Sequence, residues 1–182
     1  TYKGLFNGEV ELSKNTSYTF TVQKSLTIVG KWEANKNTPY KVEYYLENIN
    51  DDNYTLTKME NLTGTTDTTA YADIKNFEHF TAEVSEVKGN INGNGSTVLK
   101  VYYQRNEYTI SVTSSIGGSV TGAGKYKYGK QVTFIPKLNL GYYFSGWYNG
   151  NTLLNSDLEY SVTIDKDSEI SAKFTVTPEM TN

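Results

Sequence analysis

Residues 2–34 and 144–176 align without a gap at an offset of 142, so the chain is a repeat array before any element is assigned. Nine of the 33 positions are identical: Gly4/Gly146, Asn7/Asn149, Gly8/Gly150, Leu12/Leu154, Tyr18/Tyr160, Thr21/Thr163, Lys24/Lys166, Ile28/Ile170 and Lys31/Lys173. Residue type is kept at Tyr2/Phe144, Leu5/Trp147, Phe6/Tyr148, Val22/Ile164 and Trp32/Phe174. The later copy continues upstream to about Glu107, and the first copy has no counterpart of that stretch in this sequence. The expectation is a piece of a longer protein that carries one partial and one complete module. The partial copy should have strands without partners, and so an exposed sheet edge. Disorder, packing on the next module and pairing with another chain are its three expected fates.

Alternation of apolar and polar residues dominates, which reads as half-buried strands. Examples are Tyr108-Ile110-Val112, Val132-Phe134, Tyr160-Val162-Ile164 and Ile170-Ala172-Phe174-Val176, with Tyr18-Phe20-Val22 and Leu26-Ile28 in the first copy. Asn7-Gly8 and Asn149-Gly150 suit two-residue type I′ hairpin turns. The spacing divides the chain into 1–36, the back half of a repeat, 38–106, a second kind of module, 107–177, a complete repeat, and a tail at 178–182. The junctions Asn35 to Pro39 and Gln104-Arg105-Asn106 are short enough to restrict neighbouring modules to few orientations. In the middle module Tyr40 to Leu46, Tyr54 to Thr57 and Val98 to Tyr103 read as strands, and Thr68 to Asn76 is the one place for a short helix. The expected fold class is all-β to α+β, in tandem small β-grasp-like modules of mostly antiparallel strands arranged end to end.

The residues offer little catalytic chemistry. There is no cysteine, which excludes disulfides and thiolate sites. The net charge of −3, with both signs scattered, leaves no basic footprint for nucleic acid. No stretch is long and apolar enough to insert in a bilayer as a helix. Gly124-Lys125-Tyr126-Lys127-Tyr128-Gly129-Lys130 has phosphate-loop spacing, but Gln131 stands where Ser or Thr would hold magnesium, and strands rather than a helix follow. It reads as a hairpin turn. His79, the single histidine, sits between aromatics with no nucleophile motif beside it and reads as structural. Asp51-Asp52 and Asp165/Asp167 lack calcium-loop spacing and read as solvated turns. No catalytic residue, cofactor site or metal site is expected. Trp147 and Trp32 read as core, since an apolar Leu5 and Phe174 replace them in the other copy.

The sixteen tyrosines are the remaining signal. Tyr44-Tyr45, Tyr102-Tyr103 and Tyr142-Tyr143 are adjacent on strands, so one ring of each pair faces outward. Tyr45, Tyr103 and Tyr143 are the candidate ligand contacts, because rings with polar tips suit glycan or protein surfaces.

Residues 107–177 resemble the internalin-type B-repeat (Listeria–Bacteroides repeat) in its divergent form. The resemblance rests on Tyr108 to Val112, Gly117-Gly118, Tyr128-Gly129, Val132 to Phe134, the Gly141-Tyr142-Tyr143-Phe144-Ser145-Gly146-Trp147-Tyr148 core and the Ala172-Lys173-Phe174 close. The first 34 residues match its second half only. Residues 38–106 are similar to the mucin-binding-type β-grasp repeats of Gram-positive surface proteins, through the Tyr-rich first strand, Leu62-Thr63-Gly64 and Val101-Tyr102-Tyr103. The resemblance implies an extracellular repeat segment of a bacterial cell-surface or cell-wall protein, not an enzyme. Its expected role is stalk or spacer between neighbouring modules of the parent chain. The alternative is an adhesin module for mucin-type glycans or a host surface protein. Abundant Lys and Asn leave intramolecular Lys–Asn cross-links open.

Overall fold

The computed structural model describes residues 1–178; from residue 179 onward, the tail expected at 178–182 lies outside the described residues. In chain order the strands are β1 (Tyr2–Asn7), β2 (Val10–Ser13), β3 (Val29–Trp32), β4 (Thr38–Glu47), β5 (Tyr54–Gly64), β6 (Thr69–Tyr71), β7 (Phe80–Ala82), β8 (Lys88–Asn90) and β9 (Val98–Arg105). They continue with β10 (Glu107–Ser114), β11 (Gly118–Ser119), β12 (Gly124–Lys127), β13 (Gln131–Phe134), β14 (Lys137–Leu138), β15 (Tyr142–Asn149), β16 (Thr152–Asn155), β17 (Tyr160–Thr163) and β18 (Ser168–Val176). The described residues contain no helix, so the fold is all-β. The helix expected between Thr68 and Asn76 is instead β6, antiparallel to β8 with Ala70 opposite Gly89. Thr68, Thr69 and Tyr71 lose side-chain freedom in a helix and suit a pleated surface, and Ala70 is buried there.

Two compact units divide the chain. The first comprises Thr1–Tyr44, Leu56–Ile74 and Val84–Val101. It holds a three-stranded sheet of order β2-β1-β3, the β6-β8 pair, and a core of Val42, Tyr44, Ala70, Ile91, Leu99 and Val101. The junction after the partial repeat is fixed by hydrogen bonds here. The Asn35 carbonyl accepts from the Thr66 amide at 2.8 Å and from the Thr38 hydroxyl at 3.3 Å, and buried Thr38 lies 2.6 Å from the Thr66 hydroxyl.

The second unit comprises Tyr45–Thr55, Lys75–Glu83 and the chain from Tyr102 onward. Its main sheet has the order β12-β10-β18-β15-β16, with smaller pairs β11-β14 and β13-β17. β10 runs parallel to β18, whereas β15 pairs with β18 antiparallel. The core is Ile110, Phe134, Trp147, Ile164, Ile170, Ala172 and Phe174. Trp147 is wholly buried against Phe144, Phe134 and Tyr160, and its indole N–H donates to the Asp157 carbonyl at 3.0 Å. It is core, as its replacement by Leu5 in the first copy indicates. Gly118 lets Phe174 approach the backbone, since a Cβ there would lie 2.4 Å from the ring.

The two copies repeat to the residue. Leu5↔Ser13, Phe6↔Glu11 and Asn7↔Val10 of β1–β2 correspond to Trp147↔Asn155, Tyr148↔Leu153 and Asn149↔Thr152 of β15–β16. Tyr2↔Trp32 through Phe6↔Val29 correspond to Phe144↔Phe174 through Tyr148↔Ser171, with bulges at matching places. Lys31 lies 4.6 Å from the Phe6 ring centroid and Lys173 lies 4.2 Å from that of Tyr148. Gly4 and Gly146 share φ near 134° and 137°. The hairpins differ from expectation in detail. Their two-residue loops are Gly8-Glu9 and Gly150-Asn151, and of these only the glycines, at φ 59° and 58°, are left-handed. That places glycine first, the pattern of type II′ rather than I′.

Three expectations for the first copy fail for one reason. Tyr18 to Val22 and Leu26 to Ile28 are not strands, and Trp32 is 71% exposed where Phe174 is 9%. In the complete copy, β17 is held by β13, Ser168 to Ile170 pair with β10, and Phe174 lies against Gly117 and Gly118. The first copy has no residues equivalent to any of those partners in this sequence. Identical residues therefore fold differently, because a strand needs its neighbour.

Candidate functional site

Alternation along β9 sets the outward aromatic face. Leu99, Val101 and Tyr103 are buried, so Tyr102 is on the opposite side. In β4, Val42 and Tyr44 are buried and Tyr45 is half-buried. Tyr45 and Tyr102 stack with centroids 5.0 Å apart, and Tyr54 meets Tyr102 edge-on at 5.2 Å. The Tyr54 hydroxyl donates to Glu83, which also accepts from Gln104 at 3.3 Å. That hydrogen bond, then burial and the nearby carboxylate charge, push the Tyr54 phenol up to about 12. The result is a neutral three-ring strip with one flat, half-exposed edge.

Of the sequence candidates, Tyr45 is in this strip. Tyr103 is not: it is 1% exposed, edge-on to Phe77, because it continues the inward parity of Leu99 and Val101. Tyr102 takes the outward place assigned to Tyr103. Tyr143 is 47% exposed on β15, in the complete repeat.

A second cluster holds the segment around Arg105. Glu47, at the end of β4, has only 5% of its side chain exposed. Its Oε1 lies 2.6 Å from Lys127 Nζ and 3.5 Å from Arg105 Nη2, and its Oε2 accepts from the Arg105 amide at 2.9 Å. Burial pushes the Glu47 carboxyl up, but the Lys127 and Arg105 hydrogen bonds and charges outweigh it, and the group is left below its ordinary range. Arg105 Nη1 also donates to the Tyr128 carbonyl at 2.9 Å. Asn106 donates its amide to the His79 carbonyl and accepts from the Tyr128 amide, both at 2.8 Å. His79 stacks on Tyr128 with centroids 4.1 Å apart, and its Nδ1 lies 2.9 Å from the Tyr108 hydroxyl. The histidine is thus a structural plate, held at a left-handed φ of 65°. No local spacing announces this cluster, since Glu47 reaches partners 58 and 80 residues away.

The complete repeat also carries a cleft of about 300 Å³. Asn149, Leu154, Tyr160, Thr163, Lys166 and Ile170 line it, and all six are among the nine positions identical in the two copies. The remaining motifs are turns. Asp51 Oδ1 accepts from Asn48 Nδ2 and the Asn53 amide, each at 2.8 Å, and these bonds hold its carboxyl below the ordinary range. Gly124–Lys127 is β12, and Gly129 turns the chain at φ 78° into β13, so the phosphate-loop spacing falls on a strand–turn–strand. Among the described residues, no group of three or more His, Asp or Glu is placed to hold a metal ion, and no helix is long and apolar enough to cross a membrane.

Comparison with known proteins gives one family. Residues 108–178 match the model of the divergent InlB B-repeat domain. No curated protein matches the sequence.

Proposed function

We propose, with residues 108–178 as a divergent InlB B-repeat domain, that the chain is a non-catalytic repeat segment of a bacterial cell-surface protein, acting as stalk or spacer. It would be extracellular, with neighbouring modules of the parent chain as its nearest partners. One observation carries this reading: the chain from Arg105 to Asn106 is clamped rather than flexible. Glu47, Arg105 and Lys127 form an ion cluster, and Asn106 is hydrogen-bonded on both sides. A spacer needs such clamps, because a freely jointed link lets a distal domain fold back. Small-angle scattering of the full chain should give an elongated monomer whose profile is unchanged from low to high protein concentration. A compact profile counts against the spacer.

A second reading is favoured by the tyrosine strip. Tyr45, Tyr54 and Tyr102 offer a flat aromatic edge with polar tips, which suits the apolar face of a sugar or a host-protein side chain. On this reading the chain is an adhesin module for mucin-type glycans or a host surface protein. Tyr102→Ala should weaken binding to a mucin glycan array by about tenfold, the loss of roughly 1.4 kcal/mol. Tyr103→Ala is the wrong variant, because Tyr103 is core. An array on which wild type and Tyr102→Ala give the same blank leaves the spacer reading alone.

A further inference from the structure

We propose that the cleft of the complete repeat is a binding site for one neutral sugar ring of a glycan, built on Asn149, Tyr160, Thr163 and Lys166. It shares no residue with the strip of Tyr45, Tyr54 and Tyr102, and it stands whether or not that strip binds anything. The two copies differ where packing should hold a sequence still and agree where it should be free to drift. Within 144–176 the core residues are Trp147, Ile164, Ile170, Ala172 and Phe174, and of these only Ile170 is identical in the other copy. Leu5, Val22, Gly30 and Trp32 replace the rest.

Four of the nine identical positions have reasons in the fold. Gly146 and Gly150 take φ 137° and 58°, Ile170 is core, and Lys173 donates to the Gly150 carbonyl at 3.1 Å while lying over the Tyr148 ring. The other five, Asn149, Leu154, Tyr160, Thr163 and Lys166, all line the cleft. Asn149, Leu154, Thr163 and Lys166 are exposed. Asn149 and Thr163 end β15 and β17, and places of that kind ask for no particular side chain. Tyr160 packs its ring near Trp147, a contact that needs no hydroxyl. Among the described residues, the Asn149 amide group, the Tyr160 and Thr163 hydroxyls and the Lys166 ammonium make no side-chain hydrogen bond or ion pair. Exposed, uncommitted polar groups retained while the core drifts point to binding rather than packing.

The lining selects the ligand. A volume of about 300 Å³ lies at the lower end of the range for small-molecule sites, which suits a single ring. Leu154, Val162 and the Tyr160 ring offer apolar surface to the C–H face of a pyranose. The Asn149 amide and the Thr163 and Ser168 hydroxyls both donate and accept, as sugar hydroxyls do. Lys166 stands with Asp165 and Glu169, so the cleft holds both signs and gives an anion such as phosphate no net attraction. A wholly apolar ligand would strip water from these groups and return no hydrogen bond.

The test is a titration of the ¹⁵N-labelled full chain with methyl glycosides of glucose, galactose, mannose, N-acetylglucosamine and N-acetylgalactosamine. We expect at least one glycoside to give saturable, millimolar shifts of the Asn149, Thr163 and Lys166 amides. Tyr160→Phe combined with Thr163→Val keeps the ring and the branched shape and removes both hydroxyls. It should weaken that binding by about tenfold and leave the urea midpoint unchanged. Tyr102→Ala should leave these shifts as they are in wild type. The proposal is overturned if no glycoside moves these amides, or if the shifts gather at Tyr45, Tyr54 and Tyr102 instead. Unchanged affinity in the double variant overturns it too. A lowered urea midpoint in that variant would mean that the fold, not a ligand, retains these side chains. Saturation by inorganic phosphate or by a charged dipeptide, with no response to glycosides, would assign the cleft to another ligand and equally sink the idea.

Discussion

Trp147→Ala should destabilise the complete repeat by about 3–5 kcal/mol, enough to unfold a module of this size at modest denaturant. The ring is fully buried and touches Phe144, Phe134 and Tyr160, so its loss leaves a cavity lined by residues of three strands, β13, β15 and β17, that cannot all close on it. The Asp157 carbonyl also loses its indole donor. Trp147→Leu, which installs the residue of the first copy, should cost less, on the order of 2 kcal/mol. Urea unfolding followed by far-ultraviolet circular dichroism measures both. Equal costs for Ala and Leu would mean that the lost hydrogen bond, not the cavity, carries the effect.

Glu47→Ala should be the next most damaging change, at about 3–5 kcal/mol, because it leaves the Arg105 guanidinium buried with 8% of its side chain exposed and no carboxylate against it. Lys127 is 40% exposed and, screened by solvent, adds little to that figure. The same group sets a pH dependence. The Glu47 carboxyl titrates below its ordinary value of 4.5 in the folded chain, so its contribution is complete above that value and is lost as the pH falls through the lower folded value. The stability gap between wild type and Glu47→Gln should therefore narrow as the pH drops below 4.5. Urea midpoints at pH 7, 5 and 3.5 measure it, and a gap constant across that range would show that the charge is not what matters.

The repeat itself was legible because identity at a fixed offset survives without any knowledge of the fold, and the pairing registers follow it residue for residue. In the complete repeat, strand positions followed from period two. The parity of β9 was legible as well: Leu99 and Val101 are apolar and Lys100 is not, which puts Tyr103 inside and Tyr102 outside. Reading Tyr103 by its neighbour alone, rather than by the alternation of the whole strand, gave the wrong ring. Trp32 misled for a different reason. Its equivalence to Phe174 is sound, but the burial of Phe174 depends on neighbours such as Gly117 and Gly118, and this sequence holds no first-copy equivalent of them. The Glu47 cluster had no signature at all, since long-range ion pairs leave no period in a sequence. The short helix expected near Thr69 lost to sheet pairing, which a stretch with this many β-branched residues favours.

The parallel pairing of β10 with β18 has a mechanical consequence. β10 opens the complete repeat at Glu107 and β18 closes it at Val176, and the two lie side by side pointing the same way. Tension applied through those ends would drag the neighbours past each other along their length. The backbone bonds between Ile110 and Ser114 and their partners would then share the load and have to break together, whereas a hairpin pulled from its open end gives way one rung at a time. Such a module resists extension through a slow rate of rupture rather than through a large equilibrium stability.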